Sequence, residues 1–378
     1  MSDRRRTVPK LMISARDPGA AHHLCEIAHH VIGSGQFVVD IAASPPASEI
    51  FRNSGLEVRH FFNPRASFDI PLGKAAALAA AKQFLDDVRP DALLVGLSGP
   101  DCGIDEALIA QAGPIPTYAY QDFWGDVNPG FGLTPATYFV LDEEAAALTT
   151  LQVRANIAVA GSARHCRVFR EHAEMRRRSR TAWGVPNNTE VLVFFGQPLA
   201  HIDGYLKTIA ETASAFCKQF GSAAVFYRPH PKESFDSCKR VMVMLTDLGM
   251  PAAVDESIRI EDSLCGGDLN CTCFSSCGLD FAYLNRSSST PLASMLYLLH
   301  EDDIRNCFRQ MSKLDDIPLS ASGITTTVHS PATLQCSLEN AMTSAFRAER
   351  WLAAKRKLMC PENAAQTVAR IIQQDLAR

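Results

Sequence analysis

Short, nearly uninterrupted apolar runs alternate with helical patterns twice along this chain, and that double alternation constrains the fold more than any other feature. In the first round Val8 to Ser14, Phe37 to Ala43 and Leu56 to Phe62 read as strands, with Ala20 to Ile32 and Pro46 to Ser54 as the helices between them. Lys74 to Val88, rich in Ala, Leu and Lys, reads as a helix. Ala92 to Leu97 (ALLVGL) is a strand of the kind buried on both faces of a parallel sheet. Asp105 to Ala112 continues as helix, then Pro116 to Tyr120 and Tyr138 to Leu141 as strands. The second round begins at Glu190 to Phe195 (EVLVFF) and runs through a helix over Tyr205 to Phe220, a strand over Ala224 to Arg228 and a helix over Cys238 to Leu248. It ends with a strand over Leu269 to Phe274 and a helix over Leu279 to Leu284. Such alternation implies βαβ units and doubly wound sheets. The expected class is therefore α/β: two Rossmann-like domains facing a cleft, with C-terminal helices over Asn340 to Lys357 and Asn363 to Leu376. The expected boundaries are 1–163, a linker at 164–186 that carries the basic run Arg176 to Arg180, a second domain at 187–345, and closing helices at 346–378.

Composition narrows the class of activity. A chain of 378 residues that is 47% hydrophobic and 21% charged has the apolar material for two cores, which excludes disorder as a whole. A net charge of −4 argues against a dedicated nucleic-acid binder. No apolar run reaches the ~18–20 residues of a membrane span, and no signal-peptide core follows the N-terminal Met1-Ser2-Asp3, so the expectation is a soluble, cytoplasmic protein. The Arg176 to Arg180 run reads either as a solvated helix face or as a contact for anionic lipid or a polyanionic acceptor. Twelve cysteines are spread over the chain. The one cluster, Cys265, Cys271, Cys273 and Cys277, lacks the paired C-x2-C spacing of a structural zinc site and reads as reduced thiols near a buried strand. His22, His23, His29 and His30 share a helix and read as a polar or partly packed face, so no metal ligand set is expected. There is no G-x-S-x-G elbow, Walker loop or H-E-x-x-H helix, and no cofactor is implied.

Function is then sought in the loops that follow strands, where open parallel sheets bind ligands. In Phe226 to Glu233 (FYRPHPKE) a strand ends in a loop stiffened by Pro229 and Pro231. That loop presents Arg228, His230 and Lys232 as donors suited to a phosphate or diphosphate; the alternative is a solvated turn. In Phe274 to Asp280, Ser275, Ser276 and Gly278 stand at a strand-to-helix turn, where hydroxyls and backbone N–H groups make an anion site or a plain helix cap. Gly196 and Gln197 close the first strand of the second domain and are placed at its ligand edge by topology. In the first domain Asp17 and Gly19 lie in a small-residue loop, Asp17 as cap or as acceptor-facing carboxylate, and Ser98 lies in a similar loop. Asp122 follows a strand beside Phe123 and Trp124; it is a candidate general base with a ring able to stack on a sugar, or else a turn cap in a packed aromatic loop.

Those residues carry a resemblance. The Arg228-Pro-His-Pro231 loop, Ser275-Ser276 and Gly196-Gln-Pro198 are similar to motifs of inverting glycosyltransferases of the two-Rossmann-domain (GT-B) class. Bacterial sialyltransferase-like and capsule-polysaccharide transferases, whose HP and SS motifs bind nucleotide phosphates, resemble it most. Ser275 to Leu284 also resembles a segment of teichoic-acid glycerophosphotransferases, and Asp17 to Gly19 with Gln121 to Gly125 looks like non-hydrolysing UDP-GlcNAc 2-epimerases. The resemblance implies a transferase of polysaccharide biosynthesis that moves a sugar from a nucleotide-activated donor to a saccharide or small-molecule hydroxyl, with inversion and without a metal. His230, Ser275 and Ser276 would hold the donor phosphate and Asp122 would serve as base, with Gln121-Asp122 standing where sialyltransferases carry a paired acidic motif. The rival activities are a nucleotide-sugar epimerase or hydrolase, a CDP-alcohol phosphotransferase, and a non-catalytic nucleotide-binding protein.

Overall fold

The computed structural model describes residues 8–63, 70–99, 101–166 and 171–378. They fall into two compact units, one within 1–168 together with 359–378, the other within 169–358. Unit 1 runs β1 (Lys10–Ala15), α1 (Pro18–Gly33), β2 (Val38–Ala43), α2 (Ala47–Asn53), β3 (His60–Phe61), α3 (Pro71–Val88), β4 (Ala92–Val95) and α4 (Ile104–Gln111). It continues with β5 (Thr117–Tyr120), β6 (Thr137–Val140), α5 (Glu143–Thr150) and β7 (Asn156–Val159). Its sheet has the order β3-β2-β1-β4-β5-β6-β7, and all pairings are parallel. β4, β5 and β6 are buried at every position, because helices cover both faces; the edge strand β7 is partly exposed throughout.

Unit 2 opens with α6 (His172–Ala182) and β8 (Glu190–Phe195), then α7 (Asp203–Gln219), β9 (Ala223–Arg228), α8 (Phe235–Asp247), β10 (Ala252–Val254), α9 (Ile260–Gly266) and β11 (Leu269–Thr272). It goes on through α10 (Cys277–Ser287), β12 (Ser294–Leu298), α11 (Asp302–Ser312), α12 (Pro318–Ala321), β13 (Thr326–Val328), α13 (Pro331–Ala341) and α14 (Ser344–Lys357). The six-stranded sheet β10-β9-β8-β11-β12-β13 is again wholly parallel. In both sheets the strand order reverses beside the first strand, between β1 and β4 in unit 1 and between β8 and β11 in unit 2. These switch points are where an open α/β sheet leaves a crevice at its carboxyl edge.

Three expectations need correction. The segment at 164–186 is not a plain linker: α6 is a helix of unit 2, fastened by the basic run itself. Arg180 is 4% exposed and paired with Asp268 at 3.1 Å, Arg176 meets the same carboxylate at 2.5 Å, and Arg178 meets Asp262 at 2.7 Å. Arg177, which is largely exposed, pairs with Glu174 at 2.6 Å. The closing helices also part company. α14 stays with unit 2, whereas α15 (Ala364–Leu376) lays Ala365, Val368, Ala369 and Ile372 into the core of unit 1. Finally, Asn340 ends one helix instead of starting another, since α13 stops at Ala341 and α14 is capped by Thr343. All twelve cysteines are free thiols, with Cys265, Cys271, Cys273 and Cys277 buried. No helix among the described residues is long and apolar enough to cross a membrane.

Candidate functional site

The carboxyl edge of the unit 2 sheet is organised by one chain of hydrogen bonds. The Gln197 N–H donates to Tyr205 Oη at 2.7 Å, Tyr205 Oη lies 3.0 Å from Tyr227 Oη, and Tyr227 donates to both Glu233 oxygens at 2.8 and 2.9 Å. Because Tyr227 gives its proton to Glu233, it accepts from Tyr205, and the direction of the chain is set. Glu233 also accepts the His230 N–H at 3.1 Å while its own N–H returns to the His230 carbonyl at 2.8 Å, which closes the loop after β9. Gly196 has to be glycine here: a methyl group would press into the Tyr227 ring, 2.6 Å from Cζ. Burial raises the Glu233 pKa against the opposing bonds from Tyr227 and His230.

That loop fixes the chemistry of His230. The Lys232 N–H donates to His230 Nδ1 at 3.0 Å, so Nδ1 is unprotonated and the proton of the neutral ring sits on Nε2. Burial, with the Lys232 charge adding to it, pulls the His230 pKa down to about 4. His230 is thus a neutral N–H donor near pH 7, not an imidazolium. Across the switch point, Ser276 is the N-cap of α10 with no side-chain capping bond, and Ser275 Oγ accepts the Cys277 N–H at 3.3 Å. Gly278 lies in the first turn against Tyr297, whose hydroxyl donates to the Ser275 carbonyl at 3.3 Å.

Two expected phosphate ligands also make bonds within the scaffold. Arg228 Nη1 is occupied by Asp255 at 2.9 Å, the Ser257 carbonyl at 2.8 Å and Ser263 Oγ at 2.9 Å. Burial opposes ionisation of Asp255, but bonds from Ser257, Ser263 and Arg228 outweigh it and lower its pKa. The Gln197 side chain is buried and accepts the Phe274 N–H at 2.9 Å, tying the loop after β8 to the loop after β11. Lys232 is exposed.

At the switch point of unit 1, loop residues likewise hold each other. Asp17 occupies the N-cap of α1 but makes no side-chain cap; its carboxylate accepts the Gly99 N–H at 2.8 Å and Arg16 Nε at 3.2 Å. Arg16 reaches on to the carbonyls of Gly99 and Cys102. Beneath them lie two buried acids that sequence reasoning missed. Asp105 accepts from Ser14 Oγ at 2.5 Å and the Arg16 N–H at 2.9 Å, and Glu106 accepts from the Ser98 and Gly103 N–H groups at 2.9 and 2.6 Å. Burial pushes both carboxyls up, and Asp105 raises Glu106 further. Ser98 is therefore committed: its Oγ donates to Asp105 at 3.2 Å and its carbonyl accepts from Asn128 at 2.6 Å.

Asp122 is brought against the first turn of α1. A methyl group at Gly19 would overlap the Asp122 carboxylate, so the glycine is what admits that acid to the helix N-terminus, where the helix dipole favours an ionised group. Asp126, also missed, is pushed up to about 7, first by burial and then by Asp122 and Asp17. The aromatic neighbours play another part than expected. Trp124 is 3% exposed and donates its indole N–H to Asp142 at 3.0 and 3.1 Å, so it is not a platform for a sugar. The pair Asp105-Glu106 could have been noticed as two acids inside the apolar run Ile104 to Ala110, but Glu233 and Asp126 carried no signal that sets them apart from surface acids.

No family model matches the chain, and no curated protein sequence matches it. Solved structures do. It is similar to the UDP-GlcNAc 2-epimerase of Neisseria meningitidis bound to UDP-GlcNAc, at 11% identity and a TM-score of 0.71, covering 97% of this chain and 100% of that one. It is similar to MurG of Acinetobacter baumannii at 12% identity and a TM-score of 0.60, covering 97% and 100%. A glycosyltransferase of Rickettsia africae matches at 8% identity and a TM-score of 0.64, covering 98% and 100%. Likeness at these identities establishes the fold: two Rossmann-like α/β domains of the GT-B class.

Proposed function

We propose that the chain is an enzyme acting on a nucleotide-activated sugar, and that it transfers the sugar to an acceptor hydroxyl with inversion and without a metal. The observation that carries this reading is the His230 tautomer. A rigid loop at the carboxyl edge of a Rossmann sheet holds a neutral imidazole with its Nε2–H as donor, and the second strand-end loop of that edge bears the Ser275 and Ser276 hydroxyls at the start of α10. Neutral N–H and O–H donors at a helix N-terminus suit a phosphate that gains charge as it leaves. In the transfer, Asp122 accepts the proton of the acceptor hydroxyl and the hydroxyl oxygen bonds to the anomeric carbon. The bond from that carbon to the phosphate oxygen breaks, and His230, Ser275 and Ser276 bear the departing phosphate charge.

One observation favours a second reading on the same fold. Asp126, with a pKa of about 7, stands beside Asp122 and Asp17, a pair of environments able to take a proton and return one, as an epimerase requires. Several structural neighbours are UDP-GlcNAc 2-epimerases, which lends this reading support. Turnover of the donor without any acceptor separates the two readings.

The test is calorimetric titration of CMP, CDP, UMP, UDP, GDP and dTDP into the wild type and into His230→Ala. One nucleotide is expected to bind, and removing the imidazole should weaken it by the roughly 1.5–3 kcal/mol of a hydrogen bond to a charged group. CMP would point to a sialyltransferase-like donor, UDP to another glycosyltransferase or an epimerase, CDP to an alcohol-phosphate transferase. No binding by any of the six at millimolar concentration refutes the donor site.

A further inference from the structure

Away from the residues assigned to the donor, unit 2 holds a histidine whose surroundings are otherwise unaccounted for. His300 follows β12, Glu301 is the N-cap of α11, and Glu211 lies in the middle of α7. The His300 side chain is 0% exposed, and neither ring nitrogen has a hydrogen-bond partner. Burying an imidazole with no close hydrogen bond is costly, and an ion set between Nε2 and the neighbouring carboxylate would offset part of that cost. Its Nε2 points toward Glu211 Oε2 at 3.6 Å, beyond hydrogen-bond range. One ligand atom from each of Glu211, His300 and Glu301 lies within 4.8 Å of the others.

A cation already sits there. Lys207 Nζ is 2.9 Å from Glu301 Oε1 and 3.7 Å from Glu211 Oε1, but the side chain is 54% exposed on a flexible stem, so it can swing out. With Lys207 in place the cluster carries one net negative charge, and without it two, which one divalent ion balances. Around Zn2+ the ligand atoms would need to close to about 3.3–3.6 Å apart, a movement that the part-exposed glutamate side chains can supply around the fixed imidazole.

We propose that Glu211, His300 and Glu301 form a binding site for a divalent transition-metal ion, zinc by preference, from which the metal displaces Lys207. One nitrogen and two oxygen ligands select zinc, nickel or cobalt over magnesium and calcium. The ion binds through Nε2, leaving the proton on Nδ1. Bound, it ties α7 to the start of α11 and stabilises unit 2; it takes no part in the transfer chemistry.

The experiment uses the full chain stripped with a chelator and titrated with Zn2+ by calorimetry and thermal melting, with Co2+ as the spectroscopic probe. One equivalent is expected to bind with a rise in melting temperature, and both effects should fall at least tenfold in His300→Ala and in Glu211→Gln. Lys207→Met should bind Zn2+ several-fold more tightly, because the competing ammonium is gone. The Co2+ spectrum should lack a thiolate-to-metal band, which sets this site apart from adventitious binding to the cysteines. Equal Zn2+ affinity in the wild type and His300→Ala, weaker binding in Lys207→Met, or Mg2+ bound as tightly as Zn2+ would each overturn the proposal.

Discussion

Replacing Tyr227 by Phe removes one oxygen from the centre of the chain that holds the His230 loop. That oxygen donates to both Glu233 oxygens, at 2.8 and 2.9 Å, and accepts from Tyr205 at 3.0 Å. The bond to the ionised carboxylate contributes about 1.5–3 kcal/mol and the phenol–phenol bond about 0.5–1.5, so the loss should total roughly 2–4.5 kcal/mol. In a unit of this size that is a fall of roughly 5–15 °C in melting temperature. Urea unfolding followed by tryptophan fluorescence in a Trp124→Phe background reports on unit 2, where Trp183 stacks on Phe226 with ring centroids 4.4 Å apart. The effect should also depend on pH with a definite sign. Tyr227 lowers the Glu233 pKa by bonding the ionised form, so deleting it raises that pKa further. An acid with a raised folded-state pKa contributes less to stability above that pKa, so the cost of Tyr227→Phe must be larger at pH 8 than at pH 5. A change below about 0.5 kcal/mol, the range of an ordinary surface substitution, or a cost that does not vary with pH, would refute the view that this chain holds the loop.

Three further outcomes follow from the same structure. Asp268→Ala leaves the buried Arg180 and the part-exposed Arg176 without their carboxylate and removes the acceptor of the Val191 N–H, so thermal denaturation should show a loss of about 3–5 kcal/mol, partly restored in Asp268→Ala with Arg180→Met. The depressed His230 pKa means that the unfolded chain binds the proton more readily between about 4 and 6.5; unit 2 should therefore lose up to about 3 kcal/mol as the pH falls through that window, and His230→Gln should flatten the slope in acid-dependent urea unfolding. Gly19→Ala forces the Asp122 carboxylate off the start of α1, so turnover should collapse while the affinity for the nucleotide, measured by calorimetry, stays within about twofold, provided that Asp122 is the base and the nucleotide is held by unit 2.

The sequence determined the class of fold because its central strands announce themselves. β4 and the stretch from Val191 to Phe195 of β8 are buried by helices on both faces and are apolar throughout, and such runs are legible without any partner in view. The edge strands β7, β10 and β13 are only three or four residues long and half exposed, with no pattern to mark them. β12 was missed although all five of its residues are buried. The position of the His230 loop was legible too, because two prolines bracketing a histidine after a strand restrict the backbone locally.

What no local pattern contains is the identity of each side chain's partner. Arg228 is claimed by Asp255, Arg180 by Asp268 at a separation of 88 residues, and Asp122 by the glycine at the start of α1. The charge state and tautomer of His230 follow from burial and from one backbone N–H. Electrostatics acts through space and falls off with distance, not with sequence separation. The availability of a charged group for a ligand is therefore settled only when the sheets have brought its neighbours alongside.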